Sequence, residues 1–187
     1  MTSGEGKPEV LTDRARQAIG RADLIARRRG ARAIDTHHLL LALVQPGGGL
    51  GAEILAEIGL DPRLVARVVE RIDGRGRRSL SDQPRQAVGG AGRLLLTRQT
   101  ERALDLAGEA AQALGHEVIG TEHLLLGLLA QRTGAAAAVL TAMGIRAAEI
   151  RRLLVTRLLE GLPGRLKGSA EGPSGRRLGG PEGRFRA

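Results

Sequence analysis

Ile119-Gly120-Thr121-Glu122-His123-Leu124-Leu125-Leu126 has an earlier counterpart, Ile34-Asp35-Thr36-His37-His38-Leu39-Leu40-Leu41, 85 residues upstream. The same offset holds without a gap from Leu11/Leu96 through Gly30/Gly115, Leu55/Leu140 and Gly59/Gly144 to Val69/Leu154. A register kept over that length marks duplication of one folding unit, not chance recurrence of a motif. Every position can therefore be read twice, and the differences between copies become informative.

Each copy reads as four helices. The first opens at Thr12 or Thr97, whose hydroxyl can accept from an orphan N–H of the opening turn. Ala15, Ala18, Ile19, Ala22 and Ala26 then recur at helical spacing, matched by Ala103, Leu104, Ala107 and Ala111. Gly30 and Gly115 stand where a helix end favours positive φ. Thr36 and Thr121 are expected to cap the second helix. Its Leu run (Leu39–Leu41, Leu43 and Val44; Leu124–Leu126, Leu128 and Leu129) covers most of the circumference and predicts a buried central element. A short third helix holds Ile54, Leu55 and Ile58, or Val139, Leu140 and Met143. The fourth opens at Asp61-Pro62, a cap followed by proline at the first helical position. It is expected to bury Leu64, Val65, Val68, Val69 and Ile72; its counterpart, Ile150, Leu153, Leu154 and Leu158. No alternating β-branched pattern occurs. The expected fold is all-α, two tandem four-helix repeats with pseudo-two-fold symmetry.

The expected organisation is a flexible N-terminus (1–9), a domain over 10–160 and a disordered basic tail (161–187). The domain divides into repeat one (10–73), an inter-repeat loop (74–95) and repeat two (96–160). The basic character sits outside the repeats. Of the net charge of +9, residues 74–95 carry +4 and residues 161–187 another +4, nearly all from Arg. The Arg27-Arg28-Arg29 run reads as a solvated helix end, where cations meet the negative pole of the dipole.

Composition narrows the function. The chain has no Cys, Trp or Tyr and a single Phe, Phe185. Disulfides, thiolate catalysis and Cys-based zinc sites are excluded, and a platform of stacking rings for single-stranded nucleic acid is disfavoured. No secretory signal or membrane-spanning run is visible, so a cytoplasmic location is expected. No nucleophile–base pair, carboxylate pair or G-x-x-x-x-G-K-[ST] phosphate loop is present, so the expectation is no enzyme and no cofactor. His38 and His123 recur ahead of the Leu run and read as buried, hydrogen-bonded histidines. His37, His38, His116 and His123 lack both Cys partners and an i, i+4 pair, so no metal is expected.

The duplicated Thr-opened helix followed by Ile-Gly-Thr-Glu-His-Leu-Leu-Leu-Gly-Leu-Leu resembles the amino-terminal repeat domain of the Clp (Hsp100) unfoldase subunits, over roughly residues 10–160. In that family the domain precedes ATPase rings and captures substrates and adaptors. The resemblance implies a non-catalytic binding module of the Clp chaperone–protease system, free-standing here without ATPase modules. Its partners are then a Clp ATPase, adaptors or substrate proteins. It further implies phosphoarginine as a ligand, held by the Thr opening helix one and the Glu of the Gly-Thr-Glu-His turn. Carried over, these are Thr97 and Glu122 in copy two, with Thr12 and His37 in copy one. A carboxylate accepts two parallel hydrogen bonds from a guanidinium and a histidine does not, so one functional site is expected. Cyclic peptide ligands of some relatives are a lesser variant of the same reading. The alternative is a basic nucleic-acid-associated accessory protein, binding phosphates through its Arg-rich segments in a salt-sensitive way.

Overall fold

The structure, a computed structural model, describes residues 10–76 and 95–160. The elements in chain order are α1 (Asp13–Arg28), β1 (Ala33–Ile34), α2 (Thr36–Leu43), α3 (Leu50–Glu57) and α4 (Pro62–Gly76). Then come β2 (Leu95–Leu96), α5 (Arg98–Ala113), α6 (Thr121–Ala130), α7 (Ala135–Ala142) and α8 (Ala147–Glu160). The fold is all-α, and the duplication governs it. Shifted by 85 residues, α1 and α3 have the bounds of α5 and α7, while α6 runs two residues past α2. The expected flexible N-terminus, the basic tail and most of the expected inter-repeat loop lie outside the described residues. Helix α4 runs on to Gly76, beyond the expected start of that loop.

The first helix of each repeat is set as its sequence requires. Thr12 Oγ1 accepts from the Ala15 N–H at 3.2 Å, and Thr97 Oγ1 from the Thr100 N–H at 3.3 Å. Past the helix ends, Gly30 and Gly115 take φ of 67° and 71°, values that cost other residues a Cβ clash. The Ala stripes of α1 and α5 are buried against the central helices, and α2 is buried along its whole length. Leu40 and Leu125 are fully enclosed. Two expectations fail at the periphery. Leu64 is 49% exposed, while Val65 and Val69 of the same helix are buried as expected. Arg29 is not solvated; its side chain is 17% exposed and reaches Asp73 at 3.1 Å.

The repeats are not two separate bundles. Helix α3 packs against α6 and α8 of the other repeat, and α7 packs reciprocally against α2 and α4. The chain segments exchange in the same sense. Strands β1 and β2 pair in parallel, Ala33 with Leu95 and Ile34 with Leu96. Their pseudo-symmetric mate is a single parallel bridge between Leu11 and Ile119. These two-residue ladders are too short to show an alternating sequence pattern.

Exchange also explains a correction to the cap assignment. Thr36 and Thr121 do not cap their own helices. Asp35 is the N-cap of α2, and Gly120, which has no side chain, stands at that position before α6. The Thr36 hydroxyl accepts from the Ala136 N–H of α7 at 3.1 Å, and the Thr121 hydroxyl accepts from the Gly51 N–H of α3 at 3.3 Å. The N-caps of α3 and α7 are Gly49 and Gly134, which offer no side-chain oxygen. Each repeat therefore supplies the missing cap of the other.

Helices α5 and α6 meet over a longer stretch than α1 and α2. Gly127 permits this: a Cβ there would collide with the Ala103 carbonyl and lie 2.8 Å from the Ala107 nitrogen. The obstructing atoms are backbone and cannot rotate away. Gly127→Ala is therefore expected to destabilise the fold by about 3 kcal/mol or more, whereas Ala42→Gly at the equivalent position costs only about 1 kcal/mol. Leu125→Ala, which empties core volume, is expected to cost about 2–5 kcal/mol. Urea denaturation of the three variants checks the ranking; a Gly127→Ala protein as stable as wild type would refute the packing argument.

Candidate functional site

The exchange of segments decides which candidate residues meet. The Thr12 N–H donates to the Ile119 carbonyl at 3.0 Å, and the Ile119 N–H to the Val10 carbonyl at 2.8 Å. The opening of α1 is thus tied to the segment that leads into Glu122. Symmetrically, the Thr97 N–H donates to the Ile34 carbonyl at 3.0 Å, tying the opening of α5 to the segment that leads into His37. Gln131 Nε2, just past the end of α6, donates to the Gln99 carbonyl at 2.8 Å. Thr97 therefore lies toward the far end of α6 from Glu122. The expected pairing within each copy is corrected: Thr12 neighbours Glu122, and Thr97 neighbours His37. Helices α5 and α6 run antiparallel, so a residue opening one cannot meet a residue opening the other.

In the corner at Glu122, the carboxylate folds back over Gly120, into the space a side chain on that glycine would fill. Its neighbours are the Thr121 hydroxyl at 3.5 Å and His123 Nδ1 at 3.6 Å. The Glu122 side chain keeps 21% of its surface exposed. His123 itself is committed elsewhere. Its Nδ1 accepts from the Gly120 N–H at 2.8 Å, so the proton sits on Nε2, which donates to His116 Nδ1 at 2.8 Å. The expected buried, hydrogen-bonded histidine is what the fold contains.

The corner at His37 is built differently. His37 is buried, and its Nε2–H donates to Asp73 Oδ1 at 2.7 Å. Its Nδ1 is buried without a hydrogen bond, 3.7 Å from Asp35 Oδ2. Arg29 holds the other oxygen of Asp73 at 3.1 Å. The residues equivalent to Arg29, Asp35 and Asp73 are Leu114, Gly120 and Leu158. Sequence reasoning took His37 alone as the departure. The signal it lacked was the joint replacement of these positions, which turns an apolar end of the bundle into an ion-pair network. Burial pushes the Asp73 carboxyl up, but His37, His38 and Arg29 together hold it below its usual value.

Two side-chain groups have metal-like composition, His37 with His38 and Asp73, and His116 with Glu122 and His123. Their hydrogen bonds count against a cation. His38 Nδ1 accepts from the Asp35 N–H at 3.0 Å, which puts its proton on the Nε2 that faces the group. His123 is fixed in the same tautomer. A protonated ring nitrogen has no lone pair for a metal.

The buried histidines make the fold acid-sensitive. Burial first, and His37 second, lower His38 from 6.5 to about 4. Burial lowers His123 as well, opposed by Glu122. Between those two pH values the unfolded chain binds the proton and the folded chain does not, so stability rises with pH. Stability is expected to fall from pH 6.5 to 4 by on the order of 3 kcal/mol through His38 alone, with Asp73 adding a loss below its unfolded value. His38→Gln keeps an acceptor for the Asp35 N–H and is expected to flatten this slope, as urea titrations at stepped pH will measure.

Among the described residues no single helix is long and apolar enough to cross a membrane. Comparison with known proteins places this architecture. The chain is 32% identical over 166 residues to the chaperone protein ClpB of Oceanobacillus iheyensis, covering 89% of this chain and 18% of that one. It is 34% identical over 170 residues to the chloroplastic chaperone protein ClpC2 of Oryza sativa, covering 91% and 17%. Against the ClpC/MecB negative regulator of genetic competence of Bacillus subtilis it is 33% identical over 135 residues, covering 72% and 15%. The chain thus spans less than a fifth of the length of these relatives. The solved N-terminal domain of the chaperone ClpD from Arabidopsis thaliana superposes with a TM-score of 0.60 at 23% identity, covering 84% of this chain and 99% of that one. The family of the Clp repeat (R) N-terminal domain matches twice, over residues 10–92 and 95–179. Two matched repeats, a shared fold and a third of the residues in common with Clp chaperones show that the chain belongs to the Clp repeat N-terminal domain family.

Proposed function

We propose that this chain is a non-catalytic binding module of the Clp chaperone–protease system, which recognises substrates, adaptors or proteins marked with phosphoarginine. The observation that supports it is the Glu122 corner in a member of this family. There a partly exposed carboxylate without a fixed cationic partner stands at a helix opening, beside a second helix opening. A phosphoarginine side chain carries a guanidinium joined to a phosphate. Glu122 is suited to accept paired hydrogen bonds from the guanidinium, and free N–H groups at helix openings suit the phosphate. The partners are a Clp ATPase, its adaptors or its substrates, in a cytoplasmic setting; cyclic peptides are a further ligand class for the same module. The alternative, nucleic-acid binding through the Arg-rich segments, rests on residues outside the described structure. High salt should abolish such binding while weakening recognition at a folded corner far less.

His37 is already held by Asp73, and Asp35 lies beside it, so that corner has its own ion-pair network and no free carboxylate at the Glu122 position. Calorimetry with free phosphoarginine is expected to give one site per chain. Glu122→Ala should lose it, and His37→Ala, checked for folding, should retain it. Two equivalent sites would contradict the unequal corners, and no binding at all would leave protein–protein docking as the function.

A further inference from the structure

We infer that Arg14 selects the phosphoryl group at the Glu122 corner, so that the ligand site is assembled from both repeats and is complete only there. This inference rests on the phosphoarginine reading above and names the residue that makes it selective. Arg14 lies on the first turn of α1, two residues after Thr12. Its Cδ and Nη1 stand 3.1 and 3.6 Å from the point where a Cβ on Gly49 would sit, and the Thr121 hydroxyl lies 3.0 Å from that same point. The Thr121 hydroxyl is in turn 3.5 Å from Glu122 Oε2. The Thr121 hydroxyl therefore has both the Arg14 side chain and the Glu122 carboxylate in its neighbourhood. Among the described residues Arg14 makes no ion pair, whereas Arg16 on the same turn is paired with Asp13 at 3.3 Å.

The pseudo-symmetric corner has the same frame with neither Arg14 nor Glu122 in it. Gln99 replaces Arg14, and its amide oxygen approaches Gly134 as Arg14 approaches Gly49, with the Thr36 hydroxyl 3.6 Å from the equivalent point. His37 replaces Glu122. If each site were built within one repeat, Arg14 would stand with His37 and Glu122 with Gln99, leaving two half-sites. The exchange of segments instead brings Arg14 and Glu122 to one corner, and Gln99 and His37 to the other. That concentration suits a ligand carrying a positive and a negative group side by side, as phosphoarginine does. An arginine guanidinium meets phosphate with two parallel N–H donors, which glutamine does not offer.

The test is calorimetry on the full chain with phosphoarginine, and with arginine as the unphosphorylated control. Arg14→Gln installs the residue of the silent corner at an exposed position, so the fold is expected to persist, as an unchanged thermal midpoint will verify. Phosphoarginine affinity is expected to fall roughly tenfold to a hundredfold, the worth of a charge-assisted hydrogen bond, with arginine affinity unchanged or raised. Arg14→Lys should recover part of the loss. Gln99→Ala should have no effect. Wild-type affinity in Arg14→Gln, together with loss in Glu122→Ala, would overturn the role of Arg14 while leaving the phosphoarginine reading intact. Failure of the wild-type chain to bind phosphoarginine would overturn both.

Discussion

Helices α3 and α7 have glycine N-caps, and one opening N–H of each finds its side-chain acceptor on the opposite repeat. The Gly51 N–H needs the Thr121 hydroxyl, and the Ala136 N–H needs the Thr36 hydroxyl. Both contacts are buried. A buried donor left without a partner costs about 1–3 kcal/mol, so loss of either hydroxyl would be felt in the third helix of the opposite repeat. The parallel pairing of Ile34 with Leu96 and of Leu11 with Ile119 adds the same demand on the backbone. Duplication here produced one folding unit with two interdependent halves, not two domains in series.

The helix inventory was legible because the 85-residue offset let each boundary be read twice. Thr12 with Thr97, and Gly30 with Gly115, gave the same answer independently. Partner choice was not legible. A hydroxyl at the start of a helix reads as its cap, and no local pattern says that Thr36 instead reaches a residue 100 positions away. The same blindness affected the site. Thr12, Thr97, His37 and Glu122 were expected as site residues from the family resemblance, and that expectation grouped them by sequence copy, whereas the exchange groups them across copies. Arg14 went unnoticed because an arginine on an exposed first turn is ordinary until its neighbours are known.

Differences between copies come in sets because a buried charge cannot change alone. Arg29, Asp35, His37 and Asp73 stand where the second repeat has Leu114, Gly120, Glu122 and Leu158. Placing Asp73 among apolar neighbours without Arg29 or His37 would leave a carboxylate desolvated and unpaired, a cost of several kcal/mol. Leu158 is buried within the apolar cluster at the equivalent place. Each arrangement is consistent within itself, and hybrids of the two are not. His37 is therefore not a degraded glutamate but one member of a network that occupies its own corner.

Each corner gathers helix openings whose partial positive charge attracts a carboxylate, and each fills that place from its own chain. In the first repeat the carboxylate is that of Asp35, which accepts from the Thr36 N–H and hydroxyl and lies 3.7 Å from His37. In the second repeat Gly120 leaves the same space empty of a side chain, and Glu122 folds back into it from two residues further on. The two carboxylates differ in how firmly they are held. Asp35 is a helix cap on a short tether, and releasing it would uncap α2. Glu122 has a longer side chain, a partly exposed surface and only a 3.5 Å contact to a hydroxyl. Glu122 can therefore leave its resting place without unmaking a helix, whereas Asp35 cannot, and that freedom exists on one side of the pseudo-symmetry axis only.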